Sequence, residues 1–155
     1  MATPADSSAV LEQLRPAVLA RLVEIRGSLD YTLARVPEPE AREQLDAVLR
    51  HLQTYLTTWD WRLHRSFLQT YLAMRAGDGM SSDDVLHVLV AIGDVAIETV
   101  RTTMPDHSGT PALMVALAKF NAHTVRAVID LVAEDLERRR AQRDQLRAAG
   151  PGGQR

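Results

Sequence analysis

The chain has 155 residues, a formal net charge of −2 at pH 7, and a composition that is 46% apolar and 25% charged. This length suits one domain with a substantial core, and the composition is typical of folded globular proteins rather than disordered ones. A net charge so close to zero disfavours nucleic acid as a partner, and the absence of cysteine excludes disulfides, thiolate metal ligands and thiol nucleophiles.

The two ends of the chain set the expected domain boundaries. The first eight residues are polar and acidic, whereas a signal peptide starts with positive charge and continues into an apolar run. No segment holds the roughly twenty uninterrupted apolar residues of a membrane span. We therefore expect a cytoplasmic protein without a membrane partner. It would have a flexible N-terminus over residues 1–8, one helical domain over residues 9–147 and a disordered tail over residues 148–155.

Apolar residues in the first part of the chain recur at steps of three and four, which places them on one face of a helix. They are Leu11, Leu14, Val18, Leu22, Ile25, Leu29 and Leu33. Pro16 lies inside this pattern, so we expect the helix to begin or to kink there. Residues 36–40 contain two prolines and are expected to end the helix.

Two further amphipathic patterns predict the second and third helices. The second helix carries Leu45, Val48, Leu49, Leu52, Leu56 and Trp59, and the third carries Leu63, Phe67, Leu68, Tyr71 and Leu72. Between them, Trp59-Asp60-Trp61 predicts a bend in which Asp60 caps the third helix. The glycines of Ala76-Gly77-Asp78-Gly79 are expected to end that helix.

Capping signals predict the last two helices. Residues 81–84, Ser-Ser-Asp-Asp, provide hydroxyls and first-turn carboxylates for a fourth helix that runs to about Thr102. That helix is apolar around most of its circumference, so we expect it to be central. Thr110, as the expected cap, and Pro111, in the first turn, open a long fifth helix that continues through a charged segment to Arg147. Its expected buried face consists of Val125, Val128, Ile129, Val132 and Leu136.

The fold class that these patterns predict is all-α. We expect about five to six packed helices, the last of them long. Neither the period-two alternation of strands nor a glycine-rich phosphate loop is present in the sequence.

His123 is a candidate phosphorylation site. It lies in Asn121-Ala122-His123-Thr124-Val125-Arg126-Ala127, which is similar to the segment around the phospho-accepting histidine of phosphotransfer domains. Here an alanine replaces that family's glycine, and the histidine lies on the last helix rather than an earlier one. Polar residues at helical spacing around it favour a solvent-exposed face instead. They are Lys119, His123, Arg126, Asp130, Glu134 and Glu137.

The fourth helix offers a weak metal-site pattern. Asp84 and His87 have the i, i+3 spacing of carboxylate and histidine ligands. A dinuclear site needs two such pairs and further glutamates, whereas the sequence provides one pair on a polar face that also carries Asp94, Glu98 and Arg101. We expect no metal site.

His64 lies between Trp61 and Phe67 and is the histidine with the most apolar neighbours, so it is the candidate haem ligand. A partly buried, hydrogen-bonded imidazole is the commoner arrangement and the favoured interpretation. Because the chain has only two phenylalanines, a haem pocket with large flat walls is disfavoured. No serine lies in a nucleophile elbow, and we expect no enzymatic activity.

The segment from Tyr71 to Leu89 resembles the N-terminal domains of the RsbR family. In those domains a helix ends in a short glycine turn, an apolar residue follows, and an acidic first turn opens a long apolar helix. The segment from Leu113 to Arg147 is also similar to the long final helix that leads those domains into an output domain. The resemblance spans about residues 45–147. It implies a globin-like fold that binds no haem and supplies no catalytic residues.

The resemblance also implies a function, the signal-input end of a stressosome protein. The expected partners are a second copy of the chain and a signalling protein or a fused output domain, and the 155 residues include no such output domain. The dimer would form through the fourth and fifth helices or through the first. Two alternatives stay open, a globin sensor that binds haem or another small ligand, and phosphotransfer through His123.

Overall fold

The computed structural model describes residues 4–29 and 31–149. These residues form six helices and no strand, as the sequence predicts for an all-α chain. The helices are α1 (Pro4–Leu29), α2 (Tyr31–Arg35), α3 (Glu38–Thr58), α4 (Trp61–Gly77), α5 (Ser82–Thr103) and α6 (Thr110–Ala148). Residues 1–3 of the expected flexible N-terminus and residues 150–155 of the expected tail lie outside the described residues.

The first predicted helix differs from α1 at both ends. The observed helix α1 begins at Pro4 rather than after residue 8, and it continues through Pro16 instead of starting there. Leu11 and Leu14 before the proline and Val18 and Leu22 after it are all buried, so core packing holds both halves in one helix. The pattern that extends to Leu33 is divided between α1 and the short α2.

The predicted turns on either side of α4 are confirmed. The side chain of Asp60 accepts hydrogen bonds from the backbone N–H groups of Arg62 (2.9 Å) and Leu63 (3.1 Å), which caps α4. Gly79 has a φ of 86° in the turn after α4. Ser81 and Asp84 then form a reciprocal capping box at the start of α5.

Two other predictions about helix ends need correction. The break expected over residues 36–40 is shorter, because α3 begins at Glu38 and takes the second proline into its first turn. Thr110 is the first residue of α6 rather than its cap, and its hydroxyl donates to the carbonyl of Met104.

The core lies where α1 packs against α3, α5 and α6. Burying each large aliphatic side chain there stabilises the fold by about 1.5–3 kcal/mol. The α5–α6 contact is especially close at Gly93, because a Cβ atom at this position would lie 1.9 Å from Oδ1 of Asn121. The expected central position of α5 agrees with its buried row, Val85, Val88, Leu89, Ile92, Ala96 and Val100.

The 39 residues of α6 make a rod roughly 58 Å long. Its buried residues end at Leu131, Val132 is partly buried against the core, and from Ala133 onward its side chains are exposed apart from the half-buried Asp135. The predicted buried face is partly wrong, because Ile129 and Leu136 are exposed. The face that packs on the core is instead Leu113, Leu117, Phe120, Thr124, Ala127 and Leu131.

Among the described helices, α6 is also long and apolar enough to cross a membrane. Its most apolar window has a mean hydropathy of 1.3, and 39% of that window is buried inside the fold. Core helices of water-soluble proteins meet the same criteria, so this is weak evidence for a membrane span.

Candidate functional site

Histidine and aromatic side chains from three helices meet at one end of the core. We call this group the histidine–aromatic cluster. Its members are His51 and Tyr55 of α3, Trp59 of the following turn, Trp61, His64 and Phe67 of α4, and Phe120, His123 and Thr124 of α6.

The turn between α3 and α4 brings the cluster together. Trp59 adopts the left-handed conformation, with a φ of 51°, and its backbone N–H donates to the carbonyl of Tyr55. This conformation is uncommon for a residue other than glycine, and it ends α3 so that Asp60 can start α4 at once. His51 and Tyr55 lie one turn apart on α3, and Trp61 and His64 lie one turn apart on α4.

His64 is the centre of a hydrogen-bonded chain that crosses three helices. Its Nδ1 atom lies 2.9 Å from Nε2 of His51, and its Nε2 atom lies 3.1 Å from Oγ1 of Thr124. His64 and Thr124 are both 0% exposed. Because both ring nitrogens of His64 are bonded, the chain joins α3 to α4 and α4 to α6 without leaving a polar atom of that imidazole unpaired.

Stacking fixes the orientation of the imidazole rings. The ring of His51 stacks on that of Phe67, with centroids 3.7 Å apart and planes within 8°. It also lies nearly parallel to the ring of His64, at 5.2 Å. Tyr55 and Phe120 cover other sides of His64, with centroids at 4.5 Å and 5.0 Å. The rings are therefore held in one geometry by packing as well as by hydrogen bonds.

A second polar contact joins α3 to α6 beside the first. The hydroxyl of the buried Tyr55 is hydrogen-bonded to Nδ1 of His123. Trp59 and Trp61 both meet the His123 ring edge-on, with interplanar angles of 81° and 86°. Two adjacent residues of α6 are thus hydrogen-bonded to different helices, His123 to α3 and Thr124 to α4.

Burial favours the neutral forms of these groups. Desolvation lowers the pKa of His51 from 6.5 to about 4, and it lowers the pKa of His64 to about 4 as well. Positive charge on the neighbouring His51 and His123 would add to the effect at His64. Burial raises the pKa of the Tyr55 phenol. Among the described residues, no carboxylate lies within ion-pair distance of the three imidazoles.

No protein-family model, curated protein sequence or solved structure matches this chain. The resemblance to the RsbR family and the globin-like fold therefore stay predictions made from the sequence. The geometry of the cluster is the direct guide to function.

The expected burial of His64 among apolar groups is confirmed. Its role as a haem ligand is not favoured by the geometry, because coordination of iron through either ring nitrogen would break a hydrogen bond to His51 or Thr124.

The expected exposure of His123 is wrong. The ring is half-buried, because Tyr55, Trp59 and Trp61 surround it, although Lys119 and Arg126 in the same polar row are exposed. Phosphotransfer through this residue would act on a ring whose Nδ1 is already bonded to Tyr55.

Asp84 has the capping role that the sequence predicts. Its carboxylate accepts hydrogen bonds from the hydroxyl (2.6 Å) and the backbone N–H (2.9 Å) of Ser81, and these bonds lower its pKa. His87 is exposed. Within residues 4–29 and 31–149, no group of three or more histidine, aspartate and glutamate side chains is placed to hold a metal ion.

Sequence analysis did not single out His51, Tyr55 or Thr124 as site residues. A usable signal was present for the first two, because His51 and Tyr55 are spaced i, i+4 and border the apolar face of α3. No local signal marks Thr124, whose partner His64 is 60 residues away in the chain.

Proposed function

We propose that this chain is a non-enzymatic sensory or regulatory module, in which the histidine–aromatic cluster receives a signal and α6 transmits it. The observation that carries the proposal is the position of His123 and Thr124. Both belong to α6, which continues beyond Leu131 to Ala148 without a break. A rearrangement of the cluster therefore acts on a rigid rod whose far part lies outside the core.

The energetics of buried polar groups support this role. Each hydrogen bond in the cluster contributes about 0.5–1.5 kcal/mol, whereas a partner left buried and unpaired costs about 1–3 kcal/mol. His64 has both nitrogens engaged, so a ligand or a proton that takes one partner away destabilises the whole chain of contacts. Such a network favours two discrete arrangements over a gradual change.

The resemblance to RsbR-type input domains makes the proposal more specific. We propose a globin-like, non-haem sensor that acts in the cytoplasm as a homodimer. It would pass its signal to a signalling protein or to a fused output domain, and a small molecule that enters the cluster is one form the signal could take. The long final helix and the glycine turn before α5 are the features of this chain that support the comparison.

The transmission role is tested by Thr124→Val, which removes one hydroxyl from the cluster at almost constant volume. We expect Nε2 of His64 to lose its partner and α6 to loosen along its length. Hydrogen–deuterium exchange measured by mass spectrometry should then increase in α6 on both sides of residue 124, including peptides beyond Leu131.

The matched control is Thr99→Val on α5, whose hydroxyl donates only to the carbonyl of Val95 within its own helix (2.7 Å). It should leave exchange in α6 unchanged. If Thr124→Val changed exchange only within one turn of residue 124, the cluster would be a structural feature and the transmission role would be rejected.

A further inference from the structure

A row of apolar side chains lies on the outer face of α6. Val115 is 56% exposed, Ile129 58%, Leu136 50% and Leu146 72%. These residues belong to one series with alternating steps of three and four, which we call the outer seam. Its members are Val115, Ala118, Ala122, Val125, Ile129, Val132, Leu136, Arg139, Arg143 and Leu146.

The outer seam lies beside the face of α6 that packs on the core, and of its members Val132 is partly buried against that core. The core-facing row runs from Leu113 through Phe120 to Leu131, and none of its members belongs to the seam. Alternating steps of three and four are the spacing by which one helix packs along another in a coiled coil. The seam follows the helix for about 47 Å, beside the core at first and beyond it afterwards.

We infer that the outer seam pairs with the outer seam of a second copy of the chain, with the two α6 helices antiparallel. The inference gives the homodimer of the proposed function a specific interface, and it rests on that function only for the expectation of a dimer. From the sequence we expect a dimer that forms through the fourth and fifth helices or through the first. In the interface inferred here, the outer face of α6 alone makes the helix–helix contact.

The two arginines of the seam decide the direction of pairing. In a parallel pair, Arg139 and Arg143 would each face their own counterparts, which places like charges together in a partly desolvated contact. In an antiparallel pair with Ile129 opposite Val132, every member of the seam meets a compatible one. Arg139 lies opposite Ala122, Arg143 opposite Ala118, Leu136 opposite Val125 and Leu146 opposite Val115.

Charge on α5 complements the same register. Asp94 accepts a hydrogen bond from Nδ2 of Asn121 (3.0 Å), which holds its carboxylate at the residue that precedes Ala122 of the seam. In the part of the chain that the structure describes, neither Asp94 nor Arg143 has an ion-pair partner. Antiparallel pairing brings Arg143 of one copy to Ala118 of the other, within a turn of that carboxylate.

The seam supplies the larger part of the area that a stable dimer buries. A strip about 47 Å long and about 10 Å wide covers about 470 Å², somewhat over half of the roughly 800 Å² per partner that specific complexes bury. Flanking side chains have to contribute the rest. Pairing would also cover the part of α6 beyond Val132, where the side chains are exposed apart from the half-buried Asp135.

The register is tested by cysteine cross-linking, for which the cysteine-free chain is well suited. In the double variant Val115→Cys/Leu146→Cys, the two positions are too far apart along α6 to join within one chain. We expect mild oxidation to give a covalent dimer through a 115–146 disulfide, identified by peptide mass mapping. Each single variant should cross-link no more than Ser66→Cys, an exposed control on α4.

Efficient cross-linking of each single variant to itself would show parallel pairing and overturn the antiparallel register.

A second variant tests the seam without oxidation. Because Ile129 is exposed, Ile129→Asp should leave the helix content intact while raising the apparent dissociation constant of the dimer at least tenfold, as measured by native mass spectrometry over a dilution series. The control is Leu63→Asp, which places the same charge at an exposed apolar site on α4, outside the seam.

A wild-type chain that is monomeric at micromolar concentration would overturn the interface. This outcome can be told apart from failure of the transmission role. The test with Thr124→Val measures hydrogen–deuterium exchange along a single α6 helix, and that measurement does not depend on the number of subunits.

Discussion

His51 and His64 are neutral imidazoles placed where a charge would have no partner. The ring of His51 stacks on those of Phe67 and His64, and the hydroxyl of Thr124 completes the chain of hydrogen bonds. A proton added to either ring must be accommodated beside a second imidazole in an apolar setting. The cluster therefore depends on pH in a direction that the lowered pKa values determine.

At this scale we predict a loss of stability in acid. The folded-state pKa of about 4 lies below the ordinary 6.5 for both histidines, so the unfolded chain binds more protons between these values. The stabilisation is complete above pH 6.5 and is lost as the pH falls through 4. We expect each histidine to contribute about 1 kcal/mol to the decrease in unfolding free energy between pH 7 and pH 5.

Urea unfolding at the two pH values measures this decrease. The only two tryptophans of the chain, Trp59 and Trp61, lie in the cluster, so their fluorescence reports the same transition locally. His51→Gln should reduce the difference between the two pH values, while His87→Gln at an exposed site should not. Equal pH dependence in all three proteins would contradict the prediction.

At the scale of the helices, the close contact between α5 and α6 depends on a glycine, which has no side chain. Gly93 is buried within α5, where alanine would ordinarily stabilise a helix by about 1 kcal/mol. Here the added Cβ atom would lie 1.9 Å from Oδ1 of Asn121, so one of the two helices or the Asn121 side chain must move.

We therefore predict that Gly93→Ala destabilises the fold by about 1–3 kcal/mol, against its helix propensity. The double variant Gly93→Ala/Asn121→Ala removes the clashing amide and should recover most of the loss, a coupling that a double-mutant cycle measures by thermal or urea unfolding. If Gly93→Ala raised stability, the side chain of Asn121 would have an alternative position at no cost.

At the scale of the whole molecule, the fold links a buried polar cluster to a helix that extends past the core. This arrangement leaves the haem alternative with a specific difficulty, because His64 is already bonded on both sides. We predict that the purified chain gives no Soret band after haemin is added, and that native mass spectrometry detects only unmodified polypeptide.

The decisive contrary result would be a Soret band that persists in His87→Ala and disappears in His64→Ala. That outcome would mean that the cluster opens to admit a cofactor. The retained mass would then distinguish haem from another small molecule.

Local chemistry is enough to predict much of this fold from the sequence. Periods of three and four residues mark α3 to α6, Asp60 marks the start of α4, and Ser81 with Asp84 marks the start of α5. Capping and amphipathic periodicity act within a few residues of one another, so a single sequence contains the information. The burial of His64 between Trp61 and Phe67 can be predicted from the sequence for the same reason.

Only the tertiary structure decided which side of each helix faces the core and which side chains meet. Ile129 and Leu136 continue an apolar pattern yet are exposed, and His123 belongs to a polar row yet is half-buried. The contact from Tyr55 to His123 joins residues 68 positions apart, and the one from His64 to Thr124 joins residues 60 apart. Helix periodicity predicts a face but not the neighbour that covers it, because that neighbour is chosen by the packing of distant segments.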